Sequence, residues 1–229
     1  LVIAIDGPVG AGKSTAARRL AEALGYLAID SGTMYRALGW KAVRSGVDLR
    51  DPVRLARLAS ATEIRAISGP EGTRVLVDGM DVTAALRTPA IDEASSVVST
   101  FPEVRGRLVA LQRAMGEQGG VVMDGRDIGT VVFPDADLKF YLDADLEVRT
   151  RRRRQDLQGA GADAALEEVR AEVARRDQRD RSRPVSPLRM APDAIRIDSS
   201  ALDADEVLRV MLEAVNTLLT SEGITPDFV

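Results

Sequence analysis

The sequence predicts an α/β fold: a five-stranded parallel sheet with helices on both faces, interrupted by a small inserted antiparallel β subdomain. Two observations carry that prediction. Five short apolar runs, near residues 2–6, 26–30, 121–124, 138–142 and 194–198, alternate with helical patterns, and such alternation makes parallel sheets. The first run leads into Gly7-Pro8-Val9-Gly10-Ala11-Gly12-Lys13-Ser14 and then a helical stretch from Thr15 to Leu24. That is the strand, glycine loop and helix of a phosphate-binding loop.

The elements follow in order. Gly25 is a fitting residue to end the first helix. Tyr26 to Asp30 reads as a strand, and Ser31 as the N-cap of a helix that runs to Arg44 and closes at Gly46. Asp51-Pro52 falls near the start of a short helix over Leu49–Ala61. The alternation then breaks. Thr62–Ile67 and Arg74–Val77 are β-prone, and Asp78-Gly79 joins the latter to Met80–Thr83. Asp-Gly between two such runs signals a hairpin, so residues 62–88 are expected to form the insertion. Ala90–Thr100 reads as helix. Pro102 starts another, with Val104, Leu108, Leu111 and Met115 as its apolar stripe, ended by Gly119-Gly120. After the third and fourth sheet strands, helices are expected over Leu146–Leu157 and Ala164–Arg181, joined by a flexible connector, Gln158–Ala162. A last strand precedes a closing helix over Val207–Leu219, with either Val207, Met211 and Val215 or Leu208, Leu212 and Leu219 facing inward.

Composition narrows the chemistry. The 229 residues carry a net charge of −4, which argues against a nucleic-acid polymer as partner. The chain has no cysteine and no histidine, so disulfides, thiolate metal sites, thiol nucleophiles and the usual general base are absent. No apolar stretch approaches the roughly 20 residues of a membrane span, and the chain opens on a strand without a signal-peptide pattern. The expectation is a cytoplasmic, monomeric enzyme.

Ligands bind beyond the carboxyl ends of parallel strands, which gathers three constellations at one edge. In the glycine loop, backbone N–H groups converge on phosphate, Lys13 reaches the β- and γ-phosphates, and the Ser14 hydroxyl ligates Mg²⁺. Arg36, one turn into the second helix, suits a phosphate on a second substrate. Asp124-Gly125-Arg126-Asp127 follows a buried strand. Asp124 resembles a carboxylate that helps hold Mg²⁺ through water, and the Arg-Asp pair offers donors and acceptors to a polar base edge. From Asp145 to Arg183 arginines are interleaved with acids. Arg149, Arg152 and Arg153 fall on one helix face, and Arg176, Asp180 and Arg183 on another. Beside a phosphate loop, this stretch reads as an arginine lid closing on a triphosphate.

These residues resemble the cytidylate kinase family of P-loop nucleoside monophosphate kinases, nearly end to end. The resemblance rests on Ile5-Asp6-Gly7-Pro8 with Gly10–Ser14, on Asp30-Ser31-Gly32 with Tyr35-Arg36, on Asp124–Asp127 with Gly129–Pro134, and on Arg176-Asp177, Arg179-Asp180 and Arg183. It implies a kinase core at about 1–30, 116–148 and 190–229, a monophosphate-binding region at about 31–115 and a helical lid at about 149–189. It implies ATP as co-substrate, with Mg²⁺, and CMP or dCMP as acceptor. Gly7 to Thr15, with Arg152 and Arg153, would hold ATP. Arg36, Arg126 and Arg183 would grip the acceptor phosphate, with Lys13, Arg126 and Arg183 catalytic. Ser96, Arg105 and Asp127 would read cytosine, Arg176 and Asp180 would hold the sugar, and Ser31 would touch the acceptor. The alternative is a P-loop small-molecule kinase with a hydroxyl acceptor. A GTPase switch lacks its guanine-reading motif, since Asn216 is the only asparagine.

Overall fold

The computed structural model describes residues 1–69, 72–159, 161–162, 164–221 and 223. Five strands, β1 (Val2–Asp6), β2 (Leu27–Asp30), β6 (Val121–Gly125), β7 (Leu138–Asp143) and β8 (Ile195–Asp198), form the main sheet. Its order is β2-β6-β1-β7-β8 and every pairing is parallel. Alternation along β1 sets the two faces. Ile3 and Ile5 pack with α1 (Lys13–Leu24) and α8 (Ala204–Ser221), whereas Ala4 faces Ile29, Met123, Ile128 and Val109 of α5 (Pro102–Gly116). The closing helix buries Val207, Met211, Val215 and Leu219, so the first of its two possible stripes faces inward, continued by Leu219 from the second.

Helix ends agree with the residues that predict them, with instructive shifts. Gly25 adopts a left-handed conformation (φ 67°) and its N–H returns to the carbonyls of Ala21 and Glu22. The N-cap of α2 (Ser31–Arg44) is Asp30 rather than Ser31, because the Asp30 carboxylate accepts from the Thr33 N–H and an anion suits a helix start better than a hydroxyl. Asp51 caps α3 (Pro52–Ala61) in the same way. On α5, Val104 and Leu108 are buried as expected, but Arg105, Val109, Gln112 and Gly116 complete the buried face, while Leu111 and Met115 are only partly covered. The stripe is thus rotated by about one residue, because α5 packs on two sides, against α3 and the loop after β6.

The insertion is a three-stranded antiparallel sheet of β3 (Ile64–Gly69), β4 (Gly72–Val77) and β5 (Met80–Asp81). Asp78 (φ 50°) and Gly79 (φ 79°) turn the chain between β4 and β5, two left-handed residues as a tight hairpin of this twist requires. Met80–Thr83 is only half strand, since a 3-10 turn begins at Thr83. Within the expected insertion Pro70 and Glu71, and within the expected connector Ala160, lie outside the described residues. The insertion, α2, α3, α4 (Pro89–Val98) and α5 share a second core around Leu38, Leu55, Ile64, Val77 and Leu108. Helices α6 (Leu146–Gly159) and α7 (Leu166–Ser182) form a hairpin with a small core of Leu157, Val169, Val173 and Val9.

Candidate active site

The carboxyl ends of β1, β2 and β6 open into one cleft of about 220 Å³. Residues 7–12 leave β1 as a loop that only glycine permits at its tightest points. A Cβ on Gly7 would lie 1.9 Å from the Leu142 carbonyl oxygen, and one on Gly10 2.7 Å from that of Arg149. Gly12, in the left-handed region (φ 90°), then starts α1. Lys13 is buried and donates to the Pro8 carbonyl (2.7 Å). Burial and the nearby Arg126 guanidinium pull its ammonium down to about 7. The Ser14 hydroxyl donates to Asp124 Oδ2 (2.8 Å), and burial together with Asp30 pushes Asp124 up to about 7.

Arginines ring the rest of the cleft. Burial opposes ionisation of Asp30, but Arg36 and Thr33 outweigh it and hold the carboxyl down to about 2. Arg36 donates to Asp30 (2.9 Å) and, through Nε, to Asp92 (3.1 Å). Arg126 donates to Asp180 (2.7 Å). Arg176 is lowered to about 10 by burial and by Arg126. Arg105 donates to Asp127, with both side chains nearly sealed from solvent, and its guanidinium lies 5.3 Å from the centre of the Tyr35 ring. Several buried donors here make no hydrogen bond: Nε of Arg105 and of Arg153, the Tyr35 hydroxyl, and an Nη of Arg183 that only pairs loosely with Asp180 at 3.6 Å. An unpaired buried donor costs about 1–3 kcal/mol, so this cleft is shaped for an acceptor-rich ligand.

The structure brings together most of the sequence-predicted residues. Val9, Gly10, Gly12 to Thr15, Ser31, Arg36, Ser96, Arg105, Asp124, Arg126, Asp127, Arg153, Arg176, Asp180 and Arg183 all line this cleft. Gly7, Pro8 and Ala11 shape the loop without lining the cleft. Arg152 faces an adjoining cavity of about 320 Å³ on the far side of Gly10 and Gly12, where it donates to the Ser199 hydroxyl and to the carbonyls of Ser199 and Leu202. Arg149 departs from its expected lid face. It is buried, paired with Asp177 (2.6 Å), and donates to the carbonyls of Ala144 and Val9. It braces the root of α6 against the glycine loop instead of facing a phosphate.

Ser95, Ser99 and Asp156 also line the cleft without being expected there, and two residues outside its lining tie its walls together. Asp92 on α4 links Arg36 to Arg153 (2.8 Å), and Arg179 donates to the Ser96 hydroxyl. Arg179 sits in the quoted arginine motif, but nothing in the spacing says that it reaches α4. Asp92 carries no local signal beyond an acidic first turn.

The parallel sheet, the glycine loop at its edge and the arginine-lined cleft define a P-loop kinase. Within that class the chain belongs to the cytidylate kinase family, whose model matches residues 3–217. It is 52% identical to the cytidylate kinase of Symbiobacterium thermophilum over 213 residues, covering 93% of this chain and 94% of the relative. It is 49% identical to that of Geobacillus kaustophilus over 214 residues (93% and 96%) and 49% identical to that of Geobacter sulfurreducens over 208 residues (91% and 89%). No helix among the described residues is long and apolar enough to cross a membrane.

Proposed function

We propose that the protein transfers the γ-phosphate of ATP to CMP or dCMP, giving CDP or dCDP and ADP, as a cytoplasmic monomer. The observation that carries this reading is the convergence of the glycine loop, with Lys13 and Ser14, and the Arg36, Arg126, Arg105 and Asp127 side chains on one cleft. ATP is held by the loop amides and Lys13 at the cleft's base. Of the two lid arginines, Arg153 reaches ATP from the cleft lining, and Arg152 from the adjoining cavity behind Gly10 and Gly12. The acceptor lies opposite, its phosphate gripped by Arg36, Arg126 and Arg183. Its base is read by Ser96, Arg105 and Asp127, its sugar is held by Arg176 and Asp180, and Ser31 touches it. In this reading the core comprises about 1–30, 116–148 and 190–229, the monophosphate-binding region about 31–115 and the lid about 149–189.

The acceptor is already an anion, so no strong general base is needed and the absence of histidine is no handicap. Phosphoryl transfer asks for positioning and charge neutralisation, and the chain supplies amides, one lysine and several guanidiniums. The Ser14 hydroxyl and Asp124 carboxylate are adjacent hard oxygens, the donor type that suits Mg²⁺, an ion that takes few protein ligands and leaves the rest to phosphate and water. Bound there, Mg²⁺ would neutralise charge on the phosphates. A panel of CMP, dCMP, UMP and AMP with ATP and Mg²⁺, followed by ADP release, tests the reading. CMP and dCMP are expected to turn over fastest. Slow turnover with all four would favour a hydroxyl acceptor.

A further inference from the structure

After β6 the chain runs through Asp127 into a single π-helical turn, Ile128–Val132. The N–H groups of Val131 and Val132 donate to the Asp127 carbonyl, and that of Phe133 to the Ile128 carbonyl (2.7 Å). So short a turn has little stability of its own, and π turns are rare and concentrate at functional sites. Here both ends are clamped from outside. The Ile128 and Gly129 N–H groups each donate to one oxygen of the buried Asp6 carboxylate, both at 2.8 Å. The Val131 and Val132 carbonyls accept from Arg113 of α5, at 2.6 and 2.9 Å. Anion on the N–H end and cation on the C=O end is the polarity that the aligned peptide dipoles demand. Gly116 adds to the fit, since a Cβ there would lie 2.4 Å from the Phe133 ring.

The same helix that carries Arg113 carries Arg105, two turns earlier, and Arg105 pairs with Asp127 at the mouth of the turn. Helix α5 therefore grips the loop twice, once at each end. None of Asp6, Arg113 and Gly116 lines the cleft. The geometry points to Arg113 and Asp6 as positioning residues for recognition of the acceptor base: they fix the two ends of the π turn so that Asp127 is aimed at the base beside Arg105. This inference rests on the proposed base-reading role of Asp127.

The test compares Arg113→Met, Arg113→Lys, Asp6→Asn and, as reference, Asp127→Asn, each measured for Tm, kcat, KM for CMP and for ATP, and the CMP/UMP ratio of kcat/KM. Arg113 is exposed on α5, so its variants are expected to fold. Small misplacements of a substrate-positioning group are costly, and Arg113→Met is expected to raise KM for CMP about 3- to 10-fold. It should lower the CMP/UMP ratio and leave KM for ATP within about twofold. Arg113→Lys, which keeps a donor for the carbonyls, is expected to recover part of the loss. Asp6→Asn turns an NH₂ group toward an N–H and should lower the ratio as well; an unaltered ratio removes Asp6 from the assignment. Loss of the ratio in Asp127→Asn but not in Arg113→Met would overturn the positioning role and leave the base-reading intact. An unaltered ratio in Asp127→Asn would remove the base-reading role and this inference with it. Equal rises in KM for CMP and ATP in Arg113→Met, with a lower Tm, would reduce Arg113 to a structural brace.

Discussion

Asp127 and Arg105 form a pair whose side chains are 6% and 3% exposed, and that burial makes the consequences of breaking it calculable. In Asp127→Ala the guanidinium keeps only the Ser99 carbonyl at 3.2 Å and the Tyr35 ring face. Removing one partner of a buried ion pair costs about 3–5 kcal/mol. In a chain of this size each kcal/mol lowers Tm by roughly 2–4 °C, so a fall on the order of 6–20 °C is expected. Asp127→Asn is gentler, because its amide oxygen still accepts from Arg105. Its effect on the substrate is sharper. A carboxylate accepts from the exocyclic amine of cytosine and opposes the O4 of uracil, whereas an amide turns to suit either. One good base contact discriminates by about 1–3 kcal/mol, or roughly 5- to 150-fold. The CMP/UMP ratio of kcat/KM, read from ADP release on the folded variant, should therefore drop at least about fivefold, mainly through better use of UMP. A folded Asp127→Asn enzyme with the parental ratio would refute the reasoning: the pair would then hold α5 to the loop and read nothing.

Three further outcomes are expected. Lys13→Ala should lower kcat by on the order of 10²-fold or more, since it removes the buried ammonium proposed to meet the phosphoryl group in transit; near-normal single-turnover rates would exclude Lys13 from the chemistry. Gly7→Ala forces a Cβ to 1.9 Å from the Leu142 carbonyl at φ 151°, with no flexible side chain to yield. Overpacking of about 3 kcal/mol should show as a Tm lower by roughly 6–12 °C with ATP affinity lost. Asp30 is held near 2 in the folded chain against 3.8 as its ordinary value, so its stabilisation is present above about pH 4 and is lost as pH falls toward 2. Urea titrations should show Asp30→Asn less stable than the parent by up to about 2 kcal/mol at pH 6, the gap closing between pH 4 and pH 2.

What the sequence reveals and what it hides divide along a physical line. The five sheet strands, Gly25 and Asp78-Gly79 were legible because each depends on its own neighbours: an apolar run, a left-handed glycine, a two-residue turn. The glycine loop was legible for the same reason, its function being carried by consecutive backbone amides. Arg149 misled because helical spacing puts it on a face with Arg152 and Arg153 yet says nothing of what that face meets. Asp177 and the Val9 carbonyl meet it, and both come from distant parts of the chain. Asp92 and Arg179 were missed for the converse reason, since their partners lie 56 to 83 positions away. Arg105 shows the cost of binary patterning on α5. The apolar pattern runs through Leu111 and Met115 and leaves Arg105 to the family resemblance alone, yet with the Asp127 carboxylate and the Tyr35 ring to meet, that guanidinium is buried. In a chain with 28 arginines and 3 lysines, charge therefore does not mark the surface. The carboxylates opposite decide where each guanidinium is held: Asp177 locks Arg149 into the fold, whereas Asp30, Asp92 and Asp180 hold Arg36 and Arg126 at the cleft.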